Sequence, residues 1–171
     1  MDPNKLKPEF KSKWVAALRS GKYTQAKEKL RSPDGFCCLG VACDLLPDVV
    51  SWNPVWEYLN ADEDGYDEGD SYIDRYESGR DILWKDDLLP LDVFEAIADL
   101  SNDKDNDERC PSVGYTFSVP WNEEVLAKLS AYTIHLPYPH TAGAPATVAL
   151  DTLNDSGVSF TVIADLIDEY L

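Results

Sequence analysis

The run FCCLGVAC at 36–43 has to be buried. Apart from Gly40 it is wholly apolar, and it lies between the turn sequence SPDG at 32–35 and Pro47. It is far shorter than the roughly 20 apolar residues that cross a bilayer, so its place is the centre of a water-soluble core. Read on through Asp44 and two leucines, CCLGVACDLL predicts a short helix that Pro47 stops. Three of the four cysteines, at 37, 38 and 43, fall in this run and the fourth is Cys110. The N-terminal MDPNKLKPEF has no apolar stretch of the kind a signal peptide carries, so a reducing, cytoplasmic setting with free thiols is expected. In that setting the cysteines read first as small core hydrophobes.

Helical spacing recurs on both sides of this run. Phe10, Trp14, Ala17 and Leu18 predict a helix that Gly21 ends in the left-handed conformation. Thr24 is placed to cap a second short helix carrying Ala26 and Leu30, with Lys27, Lys29 and Arg31 turned to solvent. LPLDVFEAIADL at 89–100 returns to the helical period, and a further helix is expected from Glu123 to Tyr132. Ala146, Leu150 and Leu153 line another. NDSG at 154–157 then turns the chain, and Ser159 caps a last helix with Phe160, Ile163, Ala164, Ile167 and Leu171 on one face. VGYTFSV reads as a strand, while YIDRY and DILWK read as a hairpin. The aromatic stretch SWNPVWEYL, broken by Pro54, fits no single element. No repeat, heptad or long linker divides the chain. The expected architecture is therefore α+β and predominantly helical, one domain over 1–171, with a few short strands between the N-terminal helices and a C-terminal helical hairpin.

Charge is segregated. Residues 1–31 hold nine basic residues against three acids, a net +6, and the remainder holds six against twenty-nine, a net −23. A chain at −17 repels phosphate, which argues against direct nucleic-acid binding. The basic helix can pack on the acidic body, or Lys11 and Lys13 can hold a small anion. The densest acidic stretch is NADEDGYDEGDS, with Asp62, Glu63, Asp64, Asp67, Glu68 and Asp70.

That stretch overlays a calcium loop in part. Asn60, Asp62, Asp64 and Gly65 take its first, third, fifth and sixth positions. Ser71 stands where the closing bidentate carboxylate belongs, and Asp67 replaces the central apolar residue, so calcium binding is not expected. Zinc lacks its ligand spacing, since no CxxC pair and no HxxxH pair occurs. The C-terminal hairpin resembles a helix-turn-helix, but Asp165, Asp168 and Glu169 on its second helix would face the phosphates, and a structural hairpin is the better reading. A cysteine nucleophile is the remaining chemical reading. Cys37 or Cys38 near a helix N-terminus, with His135 or His140 as base and Asp151 or Asp155 as orienter, follows the chain order of some cysteine hydrolases. No local signature of those enzymes accompanies the order.

Two blocks carry a family resemblance. WVAALRSGKYTQAKEKLRSPDGFCCLGVACDLL at 14–46 and LDTLNDSGVSFTVIADLIDEYL at 150–171 resemble a family of small uncharacterised proteins encoded by bacteriophages and some bacteria, with LLPLDVFEAIADL matching its middle helix. Residues 47–88 and 101–145 fall outside the shared blocks, and both histidines lie there. The resemblance implies a viral or mobile-element origin and supplies no activity. With no cofactor signature in the chain, the expected function is a non-enzymatic accessory protein of phage type acting in the host cytoplasm. It would engage or inhibit a basic host protein through its acidic surface, as a DNA mimic does, or sequester a small anionic signalling molecule. The alternative is a small hydrolase using Cys37 or Cys38 with a histidine.

Overall fold

A computed structural model describes residues 5–56, 72–77, 88–100, 115–136 and 146–171. Helix α1, Pro8–Arg19, begins with proline at its first position, where the missing N–H has no helical partner to lose. It buries Phe10, Trp14, Val15 and Leu18 and ends at Ser20, and Gly21 follows at φ +70°. A hairpin of β1, Arg31–Ser32, and β2, Gly35–Phe36, turns through Pro33 and Asp34. Helix α2, Cys38–Asp44, comes next, with Cys37 in extended conformation at its N-cap; from Cys38 to Cys43 every residue is buried. Strands β3, Ser51–Trp56, and β4, Tyr72–Glu77, pair antiparallel from Ser51 opposite Glu77 to Trp56 opposite Tyr72.

The second half holds α3, Leu91–Ile97; β5, Ser118–Pro120; α4, Glu123–Lys128; β6, Thr147–Ala149; α5, Leu150–Asp155; and α6, Phe160–Tyr170. β5 and β6 pair antiparallel with Val119 opposite Val148, both buried. The ladder is prolonged on either side, Trp121 N–H donating to the Ala146 carbonyl and Leu150 N–H to that of Phe117. Asn122 and Ser159 cap α4 and α6 by accepting from Val125 and Val162. The fold class is α+β, six helices with three two-stranded antiparallel sheets among the described residues.

α1 packs along α6, apolar stripe to apolar stripe, and α2 and α5 complete the core. Ile163, Ala164, Leu166 and Ile167 of α6 are fully buried. Burying a leucine or isoleucine side chain contributes roughly 1.5–3 kcal/mol, so Ile163, Leu166 and Ile167 carry most of this stripe. The rim between the helices is ionic. Arg19 reaches Asp165 at 2.6 Å and Asp168 at 3.4 Å, and Lys128 pairs with Glu169. The acids that argue against a groove-reading helix thus hold α6 to α1 and α4. Residues 5–7 thread between the C-terminal residue and the end of α3. Leu6 N–H donates to the Leu171 carbonyl, Lys7 N–H to that of Ile97, and the Lys7 ammonium to those of Glu95 and Ala96 at 3.0 and 2.7 Å.

Several expectations need correction. Residues 24–30 form no helix. The Thr24 carbonyl accepts from Phe36, Ala26 N–H donates to the Phe36 carbonyl, and Glu28 sits at φ +63°, so tertiary bonds to β2 replace a helical ladder. Arg31 does not point to solvent but lies over the rings of Phe36 and Trp52. YIDRY is a strand, yet it pairs with the aromatic stretch at 51–56; DILWK at 81–85 lies outside the described residues. Ala146 belongs to the approach to β6, not to α5. The helices at 89–100 and 123–132 are shorter than their apolar patterns, ending at Ile97 and Lys128. The first stops because Ala98 turns extended to bridge Leu6.

Candidate functional site

The three described thiols are sealed in the core. Cys38 and Cys43 are fully buried and Cys37 is 2% exposed. Cys37 caps α2 with its sulfur, which accepts from Gly40 N–H at 3.3 Å. Burial pushes its thiol up to about 12. The N–H groups of Gly40 and Leu39 pull the other way without overcoming it, and the charges of Asp155 and Asp151 push further up. Cys38 and Cys43 are also raised well above the ordinary thiol range, again chiefly by burial. The Cys38 thiol donates to the Leu150 carbonyl at 3.5 Å, a bond that needs the proton in place. A helix N-terminus does lie at Cys37, as the sequence indicates, but desolvation outweighs its field, and a protonated thiol is not a nucleophile.

His135 is exposed; its backbone N–H donates to the Ser156 hydroxyl at 2.9 Å. Asp151 accepts a short hydrogen bond from Thr116, and burial raises its carboxyl above the usual range. Asp155 accepts from the backbone N–H of Glu28 at 2.9 Å and thereby anchors the left-handed residue. Both carboxylates named as orienters are thus bonded to neighbours other than a histidine. His140, Cys110 and the acids Asp62, Glu63, Asp64, Asp67, Glu68 and Asp70 lie outside the described residues, as do the other positions of the calcium-like loop. Among the described residues no group of three His, Cys, Asp or Glu is placed to hold a metal ion, and no helix is long and apolar enough to cross a membrane. Lys11 is half-buried and Lys13 exposed on α1, two positions apart on the helix.

What the fold brings together is a junction the spacing does not reveal. Asn154, at the end of α5, is the one buried polar residue among those described. Its carbonyl oxygen accepts from Cys38 N–H at 3.2 Å and from the Gln25 amide at 3.1 Å. Its own amide donates to the Ala26 carbonyl at 2.8 Å and to Asp155 at 3.1 Å. Both donors and both acceptor positions of the carboxamide are used. Gln25 completes the junction, donating to the Val158 carbonyl at 2.7 Å and accepting from Phe160 N–H at 3.2 Å, one of the open donors at the start of α6. One buried amide therefore ties the segment after α1, the cysteine helix and the C-terminal hairpin.

The sequence profile of a family described as Domain of unknown function (DUF8296) matches residues 6–171. The chain belongs to that family. No curated protein and no solved structure matches it. Within this member of DUF8296, the blocks at 14–46 and 150–171 are the ones that meet at Asn154. Gln25 and Ala26 come from the first and Asn154, Asp155 and Phe160 from the second. In sequence Asn154 reads as a turn residue, and nothing local marks its side chain as buried. The only available signal is that an Asn-Asp pair directly follows the apolar Leu150 and Leu153.

Proposed function

We propose that this chain is a non-enzymatic binding protein of bacteriophage type that engages a basic host protein through its acidic surface, in the host cytoplasm. The observation that carries this reading is where the charge is spent. The chain stands at −17, and two of its basic residues, Lys7 and Arg19, are engaged by the chain itself, Lys7 on the carbonyls near the end of α3 and Arg19 at the surface on the acids of α6. Asp62, Glu63, Asp64, Asp67, Glu68 and Asp70 fall in a stretch without a single basic residue and are the candidate contacts. A field of this sign speeds encounter with a basic partner and repels nucleic acid. Burial of Cys37, Cys38 and Cys43 leaves the hydrolase alternative without a described thiolate.

The test is affinity capture from host lysate with the intact chain and with a variant carrying Asp62→Asn, Asp64→Asn, Asp67→Asn and Asp70→Asn. A basic protein should be retained at low salt by the natural chain. It should be lost from the variant and on raising salt, because the Debye length falls from about 10 Å at 0.1 M to about 3 Å at 1 M. The two thermal midpoints should coincide. Retention indifferent to salt and to the four changes would defeat the reading. So would a small anion released by Lys11→Ala or Lys13→Ala, which would favour ligand sequestration.

A further inference from the structure

Helix α3 is seven residues long, and no side chain caps its start at Pro90. A helix of two turns does not hold itself in water, so its ends depend on what the rest of the chain brings to them. One residue supplies most of the C-terminal end. Of the last four carbonyls, that of Phe94 accepts from Ala98 N–H, and the other three all accept from Lys7. The Lys7 ammonium takes those of Glu95 and Ala96, and the backbone N–H takes that of Ile97 at 2.9 Å. A cation is also the charge that a helix C-terminus favours. On either side of Lys7 the pairing continues antiparallel into the residues after α3. Leu6, which is buried, bridges Ala98, and Asp99 N–H donates to the Lys5 carbonyl at 2.7 Å.

Lys7 serves two bodies at once. Its own carbonyl accepts from Phe10 and Lys11 N–H at 3.0 and 2.9 Å, the opening bonds of α1, while its donors go to α3. Pro8 follows, and a residue before proline is held extended, as Lys7 is at φ −58° and ψ 127°. The carbonyl therefore stays with α1, and rotation at the Lys7 Cα swings residues 5 and 6 away. α1 is fixed independently, by Trp14, Val15 and Leu18 in the core and by Arg19 on Asp165. We propose that residues 5–7 are a strap across the end of α3, and that strap and helix open and close as one unit while α1 stays on α6. The unit takes with it the bridge between Leu89 and Tyr115. It also takes the stacking of Phe94 on Tyr115 and Phe117, whose centroids lie 4.9 and 5.2 Å away. Opening bares the apolar face of Val93, Phe94 and Ile97 without parting the two long helices. Proteins open in such contiguous units at free energies below that of global unfolding.

Native-state amide hydrogen exchange on the full chain tests this, with Lys7→Met as the variant. Methionine keeps the backbone N–H and the apolar stem and removes only the ammonium. The amides of position 7, Ala98 and Asp99 should then exchange faster by one common factor, roughly 10-fold for the loss of two bonds from a partly exposed ammonium. Leu18 of α1 and Ile167 of α6 should keep their rates. Acceleration confined to position 7 would mean that the strap frays alone, and equal acceleration at Leu18 and Ile167 would mean that no separate unit exists. Either result overturns the proposal, as does no acceleration at all. Should Lys7→Met fail to fold, the natural chain in low guanidinium chloride decides the matter. There the amides of Lys7, Ala98 and Asp99 should converge on one opening free energy below that of Leu18 and Ile167. Three separate values, or a single value shared with the core, overturn the unit.

Discussion

The indole N–H of Trp14 donates to the backbone carbonyl of Cys38 at 3.0 Å, and both residues are fully buried. Cys38 is therefore held at three points: its carbonyl by α1, its N–H by Asn154 of α5 and its thiol by the carbonyl of Leu150. A residue held in this way is part of the packing and has no freedom to approach a substrate. The catalytic look of adjacent cysteines at a helix start comes from sequence proximity, and the packing assigns them to the core.

Trp14→Phe should test the first of these points. The change keeps an aromatic ring against Phe10 and Phe117, whose centroids lie 6.1 and 6.2 Å away, but removes the donor and part of the volume. We expect a loss of about 2 kcal/mol, combining a modest cavity with one buried hydrogen bond. Urea unfolding followed by far-UV circular dichroism measures it, and an unchanged midpoint would show that the Cys38 bond contributes nothing.

Asn154→Ala removes four hydrogen bonds at once and leaves Cys38 N–H and the Ala26 carbonyl without this partner. Leaving buried polar groups unpaired costs about 3 kcal/mol or more in total. Asn154→Asp keeps the shape but sets a carboxylate against the Ala26 carbonyl, and Asp155 lies beside it. It should therefore be destabilising too, and more so at neutral pH than under acid conditions where the new carboxyl is protonated. Equal losses at both values would argue that the donor to Ala26 is unimportant.

The long amphipathic elements are legible in the sequence because packing agrees with periodicity there. α1, α2 and α6 occupy the stretches their spacing indicates, and Gly21 and Ser159 end and begin helices as their chemistry suggests. Segment 24–30 is misread for a physical reason. Ala26 and Leu30 sit at helical spacing, but the backbone bonds go to Phe36, a partner that only tertiary structure supplies. Arg31 is misread as a solvent-facing charge because nothing near it in sequence announces Trp52. The sequence cannot show Asn154 as a hub, since three of its four partners, Gln25, Ala26 and Cys38, lie more than a hundred positions away.

Gly40→Ala tests a close approach that helix propensity would misjudge. Alanine in place of glycine in a helix is ordinarily favourable by about 1 kcal/mol. Here a Cβ at position 40 would fall 1.6 Å from the Leu30 carbonyl oxygen, so α2 or the segment at 30 must move. We expect a loss of about 3 kcal/mol or more, or no folded protein at all. Gly157→Ala is the control for conformation alone. Its φ of +83° strains alanine by about 1–2 kcal/mol, while the nearest atom to a Cβ there is the end of the flexible Lys27 side chain at 3.3 Å. Thermal melts of the two variants should rank Gly40→Ala well below Gly157→Ala; the reverse order would contradict the packing at α2.

The thiols set the last expectation. Cys37, Cys38 and Cys43 all have their protonated forms favoured by burial, Cys37 up to about 12 against an ordinary value of 9.0. Once unfolded, these thiols ionise at their ordinary value, so above that pH the unfolded state binds fewer protons than the folded one. The stability they contribute is then fully present below about pH 9 and falls as pH rises toward 12. Urea midpoints measured across that window should decline, and Cys37→Ala should flatten part of the slope, since it removes one group that ionises only on unfolding. Labelling gives an independent reading. A bulky thiol reagent at neutral pH should leave Cys37, Cys38 and Cys43 unmodified in the folded chain and modify them in urea. Rapid labelling of any of the three in the folded state, lost on His135→Ala, would restore a nucleophilic cysteine and remove the ground for a purely binding protein.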